Sequence, residues 1–321
     1  MANLEVSLAV EHYDRHIPLL DGTVKTEGID LKAEYVPTLE GQRHERMIND
    51  QAWDAAELSL SSYIMAKARN APITAVPVFP RRLFSQSQMY VNTAAGIQQP
   101  SDLIGRKVGL RSYQTTLSVL AKGDLQHEYG VPLDQVTWVT CSEEVVGFAP
   151  PPNVTIEQVS SPLEIEERLI TGELAAYFTP RKPEAFVAGA PEVGYLFPDS
   201  QAEEQAYYQR NGFFPIMHVV AIKADLAERE PWVVQRLFNA FEEARQVALH
   251  YYDDPNWNLF AWTPQLLKEQ QQRLGPDPWA NGMAANRKNL ERFVQYEVDQ
   301  GLIPATIPVD DLFAANWTDS N

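Results

Sequence analysis

Cysteine is almost missing from this chain. Cys141 is the single one in 321 residues, which excludes an internal disulfide and a zinc site built from thiolates alone. Its expected role is a buried apolar side chain, not a reactive thiol. No run of about 18 apolar residues occurs, so no membrane-spanning helix is expected. Basic residues are scarce: 26 Lys and Arg stand against 43 Asp and Glu, for a net charge of -17. A surface this acidic repels nucleic acid and anionic membranes, and neither is an expected partner. The phosphate-loop, GxGxxG and GxSxG patterns are absent, and no set of His, Cys, Asp and Glu has metal-ligand spacing, so neither cofactor nor metal is expected. The stretch from Met1 to Val10 has no basic start, apolar core or small-residue cleavage site. With the lone cysteine, this leads to the expectation of a cytoplasmic protein. Whether it forms a homo-oligomer is left open.

What is present is the composition of an ordinary globular α/β protein. Hydrophobic residues make up 45% and charged residues 21%, and the length allows two domains with a core each. Leu4–Val10 alternates as a first strand, and Ile29–Val36, Ala52–Leu58 and Ile73–Phe79 read as strands after it. Helical spacing covers 42–49 and 63–69. Further strands are expected at Met89–Asn92, Lys107–Leu110, Thr137–Thr140, Ala175–Phe178 and Met217–Ile222. Helices are expected from Tyr113 to about Tyr129 and over 163–171, with Gly172 as the stop, and again over 232–251, 264–274 and 286–300. Strands alternating with helices imply parallel sheet covered on both faces.

In such sheets ligands sit beyond the C-terminal strand ends, beside helix N-termini. Four clusters fall there. Tyr13 to His16 follows the first strand, and Arg15 could fix that loop by a salt bridge. Ser59, Ser61 and Ser62 offer hydroxyls and backbone amides at a helix start, either to seat a carboxylate or simply to cap the helix. Tyr113, Gln114, Thr115 and Thr116 open another helix with the same two readings. Arg81 and Arg82 follow the strand ending at Phe79; Arg82 could pair with a ligand carboxylate or with a surface acid, and Arg181, after the strand ending at Phe178, has the same two readings. Glu57 ends an apolar strand, where it is either a general base or the partner of a buried arginine. His218 lies inside the apolar stretch Phe213–Val220 as a hydrogen-bonded core residue or a positioned acid/base. His12 and His16 flank the first-strand loop. His44, His127 and His250 are expected to face solvent.

These residues resemble the 4,5-dihydroxyphthalate decarboxylase-like family of the type II periplasmic-binding-protein superfamily over nearly the whole chain. The similarity runs through Tyr13-Asp14-Arg15 with Pro18-Leu19-Leu20-Asp21-Gly22, and through Glu57-Leu58-Ser59-Leu60-Ser61-Ser62-Tyr63. It continues in Pro77-Val78-Phe79-Pro80 with Arg82, Asp102-Leu103-Ile104-Gly105, Tyr113-Gln114 with Thr116, and Leu125–Val131. Pro215-Ile216-Met217-His218, Asn286-Arg287 and Gln300-Gly301-Leu302 complete it. The resemblance implies an α/β fold of two lobes with central mixed sheets and a cleft between them: residues 1–88 with 215–321, and residues 89–214. It implies non-oxidative loss of carbon dioxide from a hydroxylated aromatic acid, without a cofactor. His218 would be the acid, Glu57 the partner of a ring hydroxyl or of His218, and Arg82 with Ser59, Ser62 and Thr116 the carboxylate holders. Tyr13, Tyr113 and Phe178 would contact the ring. The alternatives are a solute-binding protein without turnover and a dehydratase-type lyase. Two departures stand out: Ser85-Gln86 where the family is expected to carry Arg-His, and Ser112 where a glutamate is expected. Their loss implies a ligand with one carboxylate fewer, or a different reaction.

Overall fold

The computed structural model describes residues 3–38, 40–315 and 317. Its strands, in chain order, are β1 (Leu4–Val10), β2 (Ile29–Tyr35), β3 (Ala55–Ser59), β4 (Ile73–Val76), β5 (Met89–Asn92), β6 (Lys107–Leu110), β7 (Thr137–Thr140), β8 (Thr155–Gln158), β9 (Ala176–Phe178), β10 (Val193–Tyr195) and β11 (His218–Lys223). The α-helices are α1 (Ile17–Leu20), α2 (Arg43–Asp50), α3 (Leu60–Ala68), α4 (Thr116–His127), α5 (Pro162–Thr171), α6 (Glu184–Val187), α7 (Ser200–Asn211), α8 (Ala224–Arg229), α9 (Trp232–Asp253), α10 (Thr263–Leu274) and α11 (Met283–Asp299). No described helix is long and apolar enough to cross a membrane.

Two compact units divide the chain. The first takes Met1–Arg82, Ile216–Glu291 and Ile307–Asn321, the second Leu83–Pro215 and Arg292–Thr306. The first boundary therefore falls at 82/83, against an expected 88. Residues 292–306, expected with the first unit, pack in the second. There the Tyr296 ring presses on Gly123 of α4, where any Cβ would collide with it. The Gln300 amide donates to the Val119 carbonyl at 2.8 Å.

In the first unit the sheet order is β2-β1-β3-β11-β4. The strands β1, β2 and β3 run parallel, and β11 runs antiparallel to both β3 and β4. The sheet is mixed because β11 enters from the second unit's return, not through a helical crossover. Alternate residues Val6, Leu8 and Val10 of β1 and Val220 and Ile222 of β11 enter one core. The helix α9 covers it with Val233, Leu237, Ala240, Phe241 and Ala244, a spacing that keeps one helical stripe inward. Burying each of the Val, Leu, Ile and Phe side chains contributes roughly 1.5–3 kcal/mol by removing it from water.

The second unit carries a sheet of order β10-β5-β9-β6-β7-β8, with β6, β7, β8 and β9 parallel and β5 antiparallel to its two neighbours. Tyr90, Val139, Ile165, Leu169, Leu174 and Tyr177 form a core cluster there. Gly172 ends α5 at φ +81, a left-handed turn that a side chain would strain. Cys141 is buried, as its composition-level reading anticipates.

Candidate functional site

Parallel strands β1 and β3 lie side by side, with β2 on the outer flank of β1, so the chain reverses its direction of growth at β1. Such switch points leave a crevice beyond the strand ends. Glu57 sits two residues before the end of β3. Its neighbour β11 registers Val220 against Glu57 and His218 against Ser59. Side chains two residues apart share a face, so Glu57 and His218 meet on the diagonal of one sheet face. Nδ1 of His218 is hydrogen-bonded to Oε1 of Glu57, and both residues are buried.

Glu57 is the hub of this cluster. Its Oε2 accepts the Glu11 backbone N–H at 2.9 Å, and its Oε1 accepts the Tyr13 hydroxyl at 3.2 Å. Arg43, wholly buried in α2, stands 3.5 Å from the Glu57 carboxylate and 3.5 Å from that of Glu11. Its other donors go to the carbonyls of Glu57 and Val36 and to the Thr38 hydroxyl. Burial alone would raise the Glu57 carboxyl. The Arg43 guanidinium, the His218 hydrogen bond and the neighbouring histidines outweigh it and hold Glu57 well below the usual carboxylate range. Glu57 is thus an anion in the interior, matched chiefly by Arg43.

Burial dominates the histidines and lowers all three. His218 stays neutral because desolvation outweighs the pull of Glu57. His44 packs edge-on against His218, ring centroids 5.3 Å apart, and lies well below the ordinary value. His16 is pushed down to about 4. Its Nδ1 contacts the Glu11 carbonyl at 2.8 Å while its Nε2 has no partner. The Tyr13 hydroxyl is raised by burial and then by the Glu57 charge. Since Glu57 is ionised and accepts, His218 carries its proton on Nδ1 and keeps a lone pair on Nε2.

Two arginines after β4 divide their roles. Arg82 is buried, forms an isolated bridge with Ile216, and donates to the Ala280 carbonyl at 2.8 Å and the Asn286 side chain at 2.7 Å. Arg81 accepts the backbone N–H groups of Met217 and His218 on its carbonyl, at 2.8 and 3.3 Å. Its positive charge bears on His218, His44 and Tyr13, lowering each. Among the described residues no hydrogen bond or ion pair engages the Arg81 side chain. Arg15 donates to the Pro80 carbonyl at 2.6 Å, pairs with Asp14, and lies over the rings of Tyr13 and Trp279. The small concavity it lines with His16, Phe79 and Asn281 has room for about one water.

Ser59 precedes α3, and Ser61 and Ser62 lie inside its first turn, not ahead of it. All three are buried, and the Ser61 hydroxyl points to Met65 Sδ at 4.0 Å. In the second unit the entrance of α4 is already filled. The backbone N–H groups of Tyr113 and Gln114 donate to the two oxygens of Glu144 at 2.6 and 3.0 Å. Beneath them the wholly buried Lys122 ammonium donates to the Tyr113 carbonyl at 2.8 Å and faces the Tyr113 ring. Thr115 shares a hydrogen with Ser118 at 2.7 Å, and Thr116 is the first residue of the helix. Phe178 is buried in β9, and Arg181 is exposed. The carboxylate facing this helix comes from Glu144, whereas the family is expected to carry a glutamate where this chain has Ser112. At the other departure, Ser85 donates to Asp124 at 2.6 Å and Gln86 donates to the Tyr129 hydroxyl at 3.1 Å.

Sequence reasoning singled out Glu57, Tyr13 and His218, and the first unit brings these three together. It passed over Arg43 and Glu144, named Arg81 beside Arg82 but gave the carboxylate role to Arg82 alone, and placed His44 in solvent although the ring is buried. No cluster of three or more His, Cys, Asp and Glu suited to a metal occurs among the described residues.

Comparison with known proteins fits this architecture. Residues 24–148 match the family described as NMT1/THI5 like. The periplasmic aliphatic sulphonate binding protein SsuA from Escherichia coli superposes with a TM-score of 0.59 at 11% identity, covering 99% of this chain and 94% of that one. The desulfurization enzyme DSZB does so at 0.55 and 16%, covering 96% of each. Such low identities speak to fold alone: two mixed sheets of the SsuA-type periplasmic-binding-protein class. Sequence likeness is stronger to 4,5-dihydroxyphthalate decarboxylase of Comamonas testosteroni, 34% identical across 98% of this chain and 97% of that protein. The enzyme of the same name from Pseudomonas putida is also 34% identical, over 65% of this chain and 83% of its own length. With end-to-end similarity at that level, the chain belongs to the 4,5-dihydroxyphthalate decarboxylase family.

Proposed function

We propose that this chain is a cofactor-independent carboxy-lyase that removes carbon dioxide from a hydroxylated aromatic acid, with His218 moving the proton and Arg81 holding the substrate's negative charge. The observation that carries this reading is the buried Glu57–His218 pair, in which Nδ1 is committed to an ionised carboxylate and Nε2 is left to act. The names of the two relatives support decarboxylation as the reaction type.

The neutral resting state of His218 makes it first a base and then an acid. A ring hydroxyl of the substrate gives its proton to Nε2, and Glu57 stabilises the imidazolium formed. The resulting phenolate pushes electrons into the ring, and Nε2–H protonates the carbon that bears the carboxylate. The bond from that carbon to the carboxylate then breaks, carbon dioxide leaves with no charge, and the electron pair returns to the ring oxygen. One proton from solvent completes the phenol, so a single proton is consumed per turnover. General acid–base catalysis of this kind contributes about 10²–10⁴-fold, and orientation of the substrate contributes the larger share. Arg82, spent on Ala280 and Asn286, positions the segment that carries Arg81 and does not itself hold the carboxylate.

The test is incubation of the pure protein with a panel of hydroxybenzoates and hydroxyphthalates, measuring carbon dioxide release and binding separately. Release from a member with a hydroxyl ortho or para to the carboxylate is expected. Tight binding across the panel with no release would overturn the enzyme reading in favour of a binding protein.

A further inference from the structure

The entrance of α4 holds a carboxylate of the chain itself. Glu144 lies in the stretch 141–154, which joins β7 to β8 without regular structure. It is half-buried, so solvent reaches its side chain. Its two oxygens accept the Tyr113 and Gln114 backbone N–H groups, one each, at 2.6 and 3.0 Å. A ligand carboxylate would be seated in the same way, by two amide donors at the positive end of a 12-residue helix. The Lys122 ammonium, buried against the Tyr113 carbonyl, backs the seat, and of its neighbours Glu144 does most to favour its charged form. The Tyr113 hydroxyl is buried, has no hydrogen-bond partner among the described residues, and is close enough to Glu144 for that charge to raise it beyond the effect of burial. The loop is tied down beside this carboxylate. The Gln114 side-chain oxygen accepts the backbone N–H groups of Val145 and Val146, and the Phe148 ring stacks on Tyr113 with centroids 5.3 Å apart.

We infer that this entrance is a binding site for an aromatic carboxylate, and that Glu144 is its internal occupant, displaced when the ligand takes the two amides. An ordinary cap comes from the residue just ahead of the helix. Thr115 holds that position, and its hydroxyl is engaged with Ser118. Glu144 comes instead from 30 residues beyond Gln114. Its hold is also weak at neutral pH. Burial outweighs the two amides, Ser112 and Lys122, and raises the Glu144 carboxyl. A raised folded value means that its contribution is complete in acid and fades as pH rises through that value. Tethering gives Glu144 a local concentration on the order of millimolar or more, so a bare carboxylate competes poorly with it. A ligand that displaces it needs further contacts. The Tyr113 and Phe148 rings and the unpartnered Tyr113 hydroxyl offer those to an aryl group. The site is inferred independently of the reaction proposed for the first unit, and its test uses no turnover.

Calorimetric titration of the full chain with sodium benzoate at pH 7, against sodium chloride at equal ionic strength, tests this. Glu144→Ala empties the seat and leaves Gln114 to hold the loop. It should bind benzoate at least tenfold more tightly than the parent chain. Formate at about 100 mM should raise its melting temperature by about 2 °C or more over equal chloride, and should leave the parent unchanged. In amide proton–nitrogen correlation spectra of the variant, the Tyr113 and Gln114 signals should move as benzoate is added. Glu144→Gln keeps the bulk of the side chain, so it provides the test if the alanine variant fails to fold, and its affinity should lie above that of the parent. Equal affinity for benzoate in the parent and in the folded variants overturns the inference. So does tighter binding that leaves the Tyr113 and Gln114 amides unmoved, which would place the ligand elsewhere.

Discussion

Replacing Glu57 by Gln keeps the shape of the side chain and deletes its charge. In the native protein this carboxylate accepts from the Glu11 N–H, the Tyr13 hydroxyl and His218, and it lies 3.5 Å from Arg43. The variant's amide nitrogen is a donor, so it meets donors on at least one side. Arg43, with no exposed surface, keeps only the Glu11 carboxylate at 3.5 Å as counter-charge. Removing one partner of a buried ion pair costs about 3–5 kcal/mol. With Glu11 remaining, the lower end applies, and a fall in melting temperature of about 5–10 °C follows. The pH dependence has a definite sign. Glu57 is depressed below its unfolded value, so its contribution is present above about pH 4.3 and fades as pH falls toward the folded value. Urea unfolding of both proteins from pH 3 to 8 should therefore show a gap of about 3 kcal/mol at neutral pH that narrows in acid. Turnover should fall by about 10²–10⁴, because His218 loses both its fixed tautomer and its counter-ion. A gap below about 1 kcal/mol at pH 7, the worth of an exposed pair, would refute the claim that Glu57 is the ionised hub of the site.

Two other outcomes follow from the same geometry. Asp124 is wholly buried among the hydroxyls of Ser85, Tyr207 and Tyr296, and burial pushes its carboxyl up to about 7 despite those hydrogen bonds. Its folded value lies above its unfolded one, so its contribution is complete below about pH 4 and lost as pH rises through 7. Asp124→Asn should thus gain on the parent chain in urea midpoint between pH 6 and 9. Arg81→Met should raise KM at least tenfold while leaving the melting temperature within about 2 °C of the parent, as expected for an unpaired surface-side group. Arg82→Met should lower the melting temperature instead, since it takes a donor from the Asn286 side-chain oxygen and leaves the Ala280 carbonyl with the Asn286 amide in place of two donors.

Glu57 and His218 were legible because a charged or titratable residue inside an apolar strand has few reasons to be there. Arg43 was not, because it lies in Gln42-Arg43-His44-Glu45-Arg46, a run so polar that nothing marks which side chain turns inward. Only the pairing of β3 with the neighbouring helix decides it. Arg81 and Arg82 show the same limit in another form: two identical residues on alternate sides of an extended segment, told apart by the Ile216 bridge that sends Arg82 inward. Strands β8 and β10 were missed because they are short edge strands of the second sheet, defined by pairing more than by alternation. Helix α7, Ser-Gln-Ala-Glu-Glu-Gln-Ala-Tyr-Tyr-Gln-Arg-Asn, escaped because it buries only Tyr207 and Asn211 and so carries no apolar stripe. Glu144 lay in no recognisable motif. Its role depends on a loop folding back to the start of α4.

The most direct measurement is turnover of 4,5-dihydroxyphthalate, the compound named in both relatives, in deuterium oxide by the parent chain and by His218→Gln. The account predicts carbon dioxide and product in equal amounts from the parent, one deuterium on the carbon vacated by the carboxylate, and at least a 10²-fold loss of rate in the variant with ligand affinity changed only a few-fold. A variant that releases carbon dioxide at the parental rate would contradict it.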